Sequence, residues 1–242
     1  MAKKEDNALY LVKIQLKDAK PPIWRRLVVP RTITLEQFDE IVKDTMGWAG
    51  YHLSMFEVGN KQYKEYDEDD DFWDEDCLDY SKYRLCDVLH IANKSINYIY
   101  DFGDYWEHKI TLEDDHYQPP KPLPQPLWCI KGKNACPLED SGGIWGYMDL
   151  LKIIKDPQHE KYADMREWLQ DFGYESIDDF APTEFDIDFV NRNLEVIWEE
   201  IKNSKPKLAK PVQPKPKVDQ QVQLKNMKSI IEALERYMKE NK

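Results

Sequence analysis

Apolar and polar residues alternate from Leu9 to Leu16 (LYLVKIQL), which predicts a strand with one buried face. Pro21-Pro22 closes it, Ile23 to Val29 (IWRRLVV) predicts a second strand, and Pro30 ends that one. The period then changes. Leu35, Phe38, Ile41, Val42 and Met46 recur at helical spacing behind a Thr34-x-x-Gln37 capping box, with Gly47 as the stop. His52 to Val58 (HLSMFEV) returns to the strand period and turns at Gly59-Asn60. Ser81 to Leu89 reads as a short turn or helix.

Ile96 to Glu113 (INYIYDFGDYWEHKITLE) again alternates, broken once at Asp101-Phe102-Gly103-Asp104. Beyond the break Trp106, His108, Ile110 and Leu112 share one face, and Glu107, Lys109, Thr111 and Glu113 the other. A hairpin or sharply bulged pair follows, with Gly103 expected to supply a backbone angle that other residues resist. A proline-rich connector, Pro119 to Pro126, leads to a loop, Cys129 to Tyr147, with glycines at 132, 142, 143 and 146. Helices are predicted from Met148 to Ile154, from beyond Asp156-Pro157 to about Phe172 (Tyr162, Met165, Trp168 and Leu169 on one face), and from Phe185 to Ile201 with Phe189, Leu194, Ile197 and Ile201 as its stripe. The pattern is that of an α+β domain at 8–203. A Lys/Pro-rich linker at 204–223 and an amphipathic helix at 224–240, with Met227, Ile230, Ile231, Leu234 and Met238 as its face, complete the chain. A helix that short is marginal alone, so its apolar face is expected to dock on the body, on a second copy or on a protein partner.

Charge sharpens the division. The chain carries −12 in 242 residues, but residues 203–242 hold nine Lys and one Arg against four acids, a net +6 that leaves −18 on residues 1–202. A body so acidic repels phosphate backbones, which argues against nucleic-acid binding by it. The acidic run at 65–79 fails as a calcium loop, because a loop starting at Asp67 has Phe72 where Gly is needed and Leu78 where Glu is needed. With no apolar run of membrane-spanning length and no apolar signal region after the N-terminal lysines, the expected place is the cytoplasm, with no membrane contact and with Cys77, Cys86, Cys129 and Cys136 reduced. Eight Trp and fourteen Tyr predict clefts walled by large rings.

Two stretches carry polar chemistry. The first holds Asp101, Asp104, Trp106 and His108; the second holds Cys136, Glu139 and Asp140. If they meet, they form one pocket, with Asp101, Asp104, His108, Glu139 and His52 as ligands for a divalent metal. An open coordination position there would suit a metal-dependent hydrolase. Each residue also has a structural role open to it. Asp101 and Asp104 can accept N–H groups in a turn, His108 can be a core histidine, Glu139 and Asp140 can cap the following helix, and Cys136 can be a small buried apolar group. The competing functional class is a binding or protein-interaction module with an acidic, aromatic-lined cleft.

Five segments in order resemble one family: YLVKIQLKDAKPPIWRRLVVP, TLEQFDEIVKDTMGW, HLSMFEV, YIYDFGDYWEHKITLE and ACPLEDSGGIWGY with its helix. Over roughly residues 8–200 the chain resembles the plasmid pRi ORF-three-like family, whose members carry a "TnpR" label as passengers of mobile insertion elements. The resemblance implies a compact α+β fold with a curved, mainly antiparallel sheet and packed helices. It also implies a shared pattern at Asp101, Phe102, Gly103, Asp104, Trp106 and His108, and at Cys136, Pro137, Glu139, Asp140, Gly142 and Gly143. A serine resolvase needs a nucleophilic serine within an arginine cluster, and the chain has no such pattern.

Overall fold

The computed structural model describes residues 8–66, 76–204 and 208. The centre of the acidic run (67–75), most of the linker and the predicted helix at 224–240 lie outside the described residues.

Strands β1 (Leu9–Leu16), β2 (Trp24–Pro30), β3 (Ser54–Val58), β4 (Lys61–Lys64), β5 (Cys77–Asp79), β6 (Ser95–Tyr100), β7 (Trp106–Asp114) and β8 (Trp128–Lys133) form one open sheet in the order β5-β4-β3-β6-β7-β1-β2-β8. Every neighbouring pair is antiparallel except β4–β5. Register shifts at Leu11/Val12 and at Arg26/Leu27 are the sort of irregularity at which a sheet bends.

One face of this sheet is the core. Tyr10, Val12, Ile14 and Leu16 of β1 are all buried, and Ile14 lies opposite both Ile110 and Arg25. Helix α1 (Leu35–Met46) packs its apolar stripe there, with Phe38 stacked on Phe56 at 5.8 Å. The capping box forms as the sequence predicts, and Gly47 ends the helix in the left-handed region at φ 107°. A one-turn helix α2 (Leu85–Val88), then α3 (Gly143–Ile153), α4 (Tyr162–Asp171) and α5 (Ile187–Asn203) complete the α-helices of the described residues, with short 3-10 turns at Tyr80–Lys82 and Ile177–Asp179.

Several expectations need correction. Helix α3 starts at Gly143, five residues before Met148, because Gly142 and Gly143 turn the chain straight into it. The buried stripe of α5 is Val190, Asn191, Leu194 and Ile197, while Phe189 is 54% exposed. Of the predicted apolar face of α4, Leu169 alone is buried. Strands β4, β5 and β8 have no clear sequence signal, being short, half-exposed and polar.

Strand β8 lies at the sheet edge, and α5 covers it in an unusual way. Cys129 donates its N–H to Asn191 Oδ1 at 2.8 Å and accepts from Asn191 Nδ2 at 3.0 Å, so one amide side chain stands in for a neighbouring strand. Next to it, Arg25 of β2 turns into the core. Its guanidinium donates to the carbonyls of Thr45 (2.7 Å), Met46 (3.2 Å), Lys133 (3.1 Å) and Asn134 (2.9 Å), and Phe185 covers it at 3.9 Å. Burial pulls its pKa down to about 10, so the group stays charged at neutral pH. It ties the C-terminal carbonyls of α1 to the end of β8.

An Arg25→Lys substitution is expected to destabilise the fold by about 2–4 kcal/mol, because a single ammonium cannot reach carbonyls on two elements and leaves buried acceptors unpaired. The urea midpoint measures this, and an unchanged midpoint contradicts the role given to Arg25.

Candidate functional site

Three loops converge at one end of the sheet. The first follows α1 and carries Trp48 to Leu53. The second joins β6 to β7 and carries Asp101 to Tyr105. The third precedes and opens α3 and carries Leu138 to Gly146. The first two are tied by Asp101 N–H donating to Leu53 O at 2.9 Å. The second and third touch directly: Gly142 N–H donates to Asp104 Oδ2 at 3.1 Å, and a Cβ on Gly143 would lie 2.4 Å from Asp104 O. Only glycine permits that approach, and it also meets the φ of +65° there. Residues 96–113 and 136–143 therefore meet in space.

The turn at 101–105 works differently from its sequence expectation. Positive φ falls on Asp101 (58°) and Tyr105 (55°), not on Gly103. Gly103 instead donates its N–H to Asp101 Oδ1 at 2.8 Å, and a Cβ there would sit 3.2 Å from that same oxygen. Asp101 is thus held by its own turn, with Oδ2 left to face His52.

Around His52 Nε2 stand Asp140 Oδ1 at 3.5 Å, Asp101 Oδ2 at 3.6 Å and Glu139 Oε2 at 3.8 Å. These separations exceed hydrogen-bond length. They match donors that share an ion: two atoms each about 2.1 Å from a zinc ion sit roughly 3.4 Å apart at a tetrahedral angle. One ligand atom each from His52, Asp101 and Asp140 lies within 4.8 Å of the others. Glu139 is 9% exposed and its Oε2 is buried with no hydrogen-bond donor. Its other oxygen is well held, by Ala49 N–H at 2.8 Å and Tyr100 O–H at 2.9 Å. His52, Asp101 and Asp140 make a donor set that fits a divalent cation, and the orphaned buried oxygen of Glu139 stands beside it.

Tyr100 organises this set. Its hydroxyl donates to Glu139 and accepts from Gly50 N–H (3.1 Å) and His52 N–H (3.4 Å), so one oxygen joins the loops that carry His52 and Asp140. Burial and the Glu139 carboxylate raise its pKa, which keeps the donor proton in place. The sequence reading passed over Tyr100. The available signal was its place just before Asp101 on the inward face of β6. Arg25 was passed over too, although its parity with Ile23 and Leu27 put it on the buried face.

The remaining predicted residues stand apart from the cluster. His108 is fully buried and accepts from Trp48 Nε1 at 3.2 Å, so its proton resides on Nδ1, 3.4 Å from Tyr98 O. Burial lowers its pKa to about 4. It sits as a core histidine, its Nε2 lone pair taken by an indole and outside the group formed by His52, Asp101 and Asp140. Asp104 also lies outside that group and accepts the Gly142 N–H with Oδ2. Trp106 is fully buried and packs on Trp48 at 5.1 Å between ring centroids. Cys136 packs against the Gly47 turn, and burial pushes its thiol pKa well up. Glu139 and Asp140 do not cap α3, whose N-cap is Gly142.

A cleft of about 910 Å³ opens beside the cluster, with His52 in its wall together with Tyr51, Leu53, Phe102, Lys43 and Tyr66. A smaller groove between α1 and α5 is lined by Asp39, Glu40, Asp44 and Glu200.

The depressed pKa of His108 predicts a pH effect on stability. The unfolded chain binds this proton near pH 6.5 and the folded chain only near pH 4, so stability falls as pH drops through that window. Between pH 7 and 5 the loss from this group is about 2 kcal/mol. Chemical denaturation of the wild type and of His108→Asn across that range should show a smaller slope in the variant; equal slopes contradict the assignment.

Comparison with known proteins gives matches of three kinds. The family model described as plasmid pRiA4b ORF-3-like protein matches residues 8–189. A Sinorhizobium fredii protein, the uncharacterized protein y4hQ, is 34% identical over 166 residues, which is 68% of this chain and 82% of that protein. The crystal structure of MM3350 from Methanosarcina mazei, a protein of unknown function, superposes with a TM-score of 0.62 at 33% identity, covering 74% of this chain and 96% of that one. The match over residues 8–189 takes in the sheet, the three loops and the cluster they carry, and the chain belongs to the plasmid pRiA4b ORF-3-like family.

Proposed function

We propose that this protein is a cation-dependent binding module. His52, Asp101 and Asp140 hold a divalent ion at the end of the aromatic-lined cleft, with Glu139 beside them as a neighbouring negative charge. The observation that carries the reading is the group of His52, Asp101 and Asp140, whose ligand atoms lie within 4.8 Å of one another, with His52 Nε2 at 3.5 and 3.6 Å from the two aspartates, too far for hydrogen bonds. The mixed oxygen and imidazole donors favour Zn²⁺, Mn²⁺ or Fe²⁺ over Ca²⁺. Tyr100 acts as the outer support that orients the donors.

A second reading, a metal-dependent hydrolase, draws on one feature. The Asp140 side chain is 71% exposed and His52 lines the cleft, so the donor set is open on one side. A divalent ion held with an open position supplies Lewis acidity toward a water, an ester or a phosphodiester.

Titration calorimetry on chelator-stripped protein tests both. One equivalent of Zn²⁺ or Mn²⁺ is expected to bind, with affinity lowered at least tenfold in Asp101→Asn and about tenfold in Tyr100→Phe. If neither Zn²⁺, Mn²⁺ nor Fe²⁺ binds stoichiometrically, the cation reading fails. Hydrolysis of bis(p-nitrophenyl) phosphate by the loaded protein, lost in Asp101→Asn, would select the second reading.

The tail beyond Ser204 is assigned to partner capture or self-association, from its +6 charge and the apolar face at 224–240. The expected setting is the cytoplasm, which suits four free thiols. Among the described residues no helix is long and apolar enough to cross a membrane. Removal of residues 204–242 is expected to leave the body folded and to alter its oligomeric state or its partner capture. A truncated protein identical to the full chain in both removes this role.

A further inference from the structure

We infer that the open side of the cation site takes a small planar ligand ending in an oxyanion: an aromatic ring that bears a carboxylate or a phosphate monoester. This rests on the cation reading above and adds the chemistry of what the cation recruits.

The first support is the donor count. The cluster brings three mutually close ligand atoms from His52, Asp101 and Asp140. Zinc takes four donors and manganese up to six, so the ion retains positions for oxygen donors from outside. His52 and Phe102, the neighbour of Asp101, stand in the wall of the cleft, which puts the cluster at its edge.

The second support is the company each donor keeps. Tyr51 and Leu53 flank His52 in the chain and are 82% and 64% exposed, and Phe102 follows Asp101 at 43%. All three line the same cleft. Large apolar side chains left in water add little to folding, and grouped beside a polar site they mark a binding surface. The flat rings of Tyr51 and Phe102 suit a planar partner, with Leu53 adding aliphatic surface. Lys43 adds an ammonium to the same wall, held by Asp39 Oδ2 at 2.8 Å.

The third support is size and charge. At about 910 Å³ the cleft matches sites for one small molecule. A polyanion would meet the −18 of residues 1–202 along its whole length. A single oxyanion meets the ion at contact distance, while charges beyond roughly 8–10 Å are screened.

Three probes share one ring: 2-naphthoate, 2-naphthyl phosphate and the neutral 2-naphthamide. Each is titrated into Zn²⁺-loaded and chelator-stripped full-length protein, followed by calorimetry. At least one of the two oxyanions is expected to bind the loaded protein ten times more tightly than it binds the stripped protein, and ten times more tightly than the amide binds. The tighter of the two names the oxyanion. The double substitution Tyr51→Ala/Phe102→Ala should weaken that binding at least fivefold and leave Zn²⁺ affinity unchanged. If Zn²⁺ loads but neither oxyanion exceeds the amide, or the double variant binds as the wild type does, the inference is overturned and the cation reading stands. Where Mn²⁺ or Fe²⁺ loads in place of Zn²⁺, the same comparison is read with that ion; if none of the three loads, both are overturned.

Discussion

Arg25 places a guanidinium inside the core and surrounds it with backbone carbonyls from the end of α1 and the end of β8. A buried charge is costly unless its hydrogen bonds are made, so these elements have little freedom to separate once the guanidinium is inside. The clamp sets where two loops begin. The loop after α1 starts two residues beyond Met46, and the loop before α3 starts at Asn134. Phe185 closes the clamp from the α5 side, and a Cβ on Gly132 would run into its ring. His52, Glu139 and Asp140 stand farther along these same two loops, so their placement inherits the constraint, while Asp101 comes from the turn between β6 and β7.

Beneath the site lies a block of rings that carries no charge at neutral pH. Trp48 packs on Tyr100 and Trp106, each at 5.1 Å, and bonds to the edge of His108. The block is rigid in the physical sense that its polar handles are mostly used: the Trp48 indole on His108, the Tyr100 hydroxyl on Glu139. It divides the polar residues of the central strands into two groups. His108 faces inward and stays neutral. Asp101, just past the end of β6, is turned out toward His52 by its left-handed backbone. A second buried carboxylate, Asp39, shows the alternative fate. It accepts from Ser54 and Tyr98 and pairs with Lys43, so its oxygens are spoken for. Glu139 has one oxygen held in this way and one left without a hydrogen-bond partner, so its bonding is incomplete where that of Asp39 is not.

Much of the fold was legible in residue order. The alternation in β1, β2 and β7, the capping box and glycine stop of α1, and the α+β class all follow from side-chain period and local backbone preference. Such preferences are short-range and need no partner to be read. The segments that escaped, β4, β5 and β8, are strands only because a neighbour pairs with them, or because Asn191 reaches across to cap an edge. The start of α3 escaped for a similar reason: two glycines read as a loop until Asp104 presses against one of them.

The site divides along the same line. By itself the sequence determined that two polar, glycine-turned stretches existed, and that Asp101, Glu139, Asp140 and His52 were among the residues able to bind a cation. Tertiary structure alone decided that the stretches touch, that His52 joins them, and that His108 and Asp104 are occupied elsewhere. The reason is physical. Whether a carboxylate or an imidazole is a ligand depends on which of its lone pairs remain unpaired, and those partners come from residues 40 to 90 positions away along the chain.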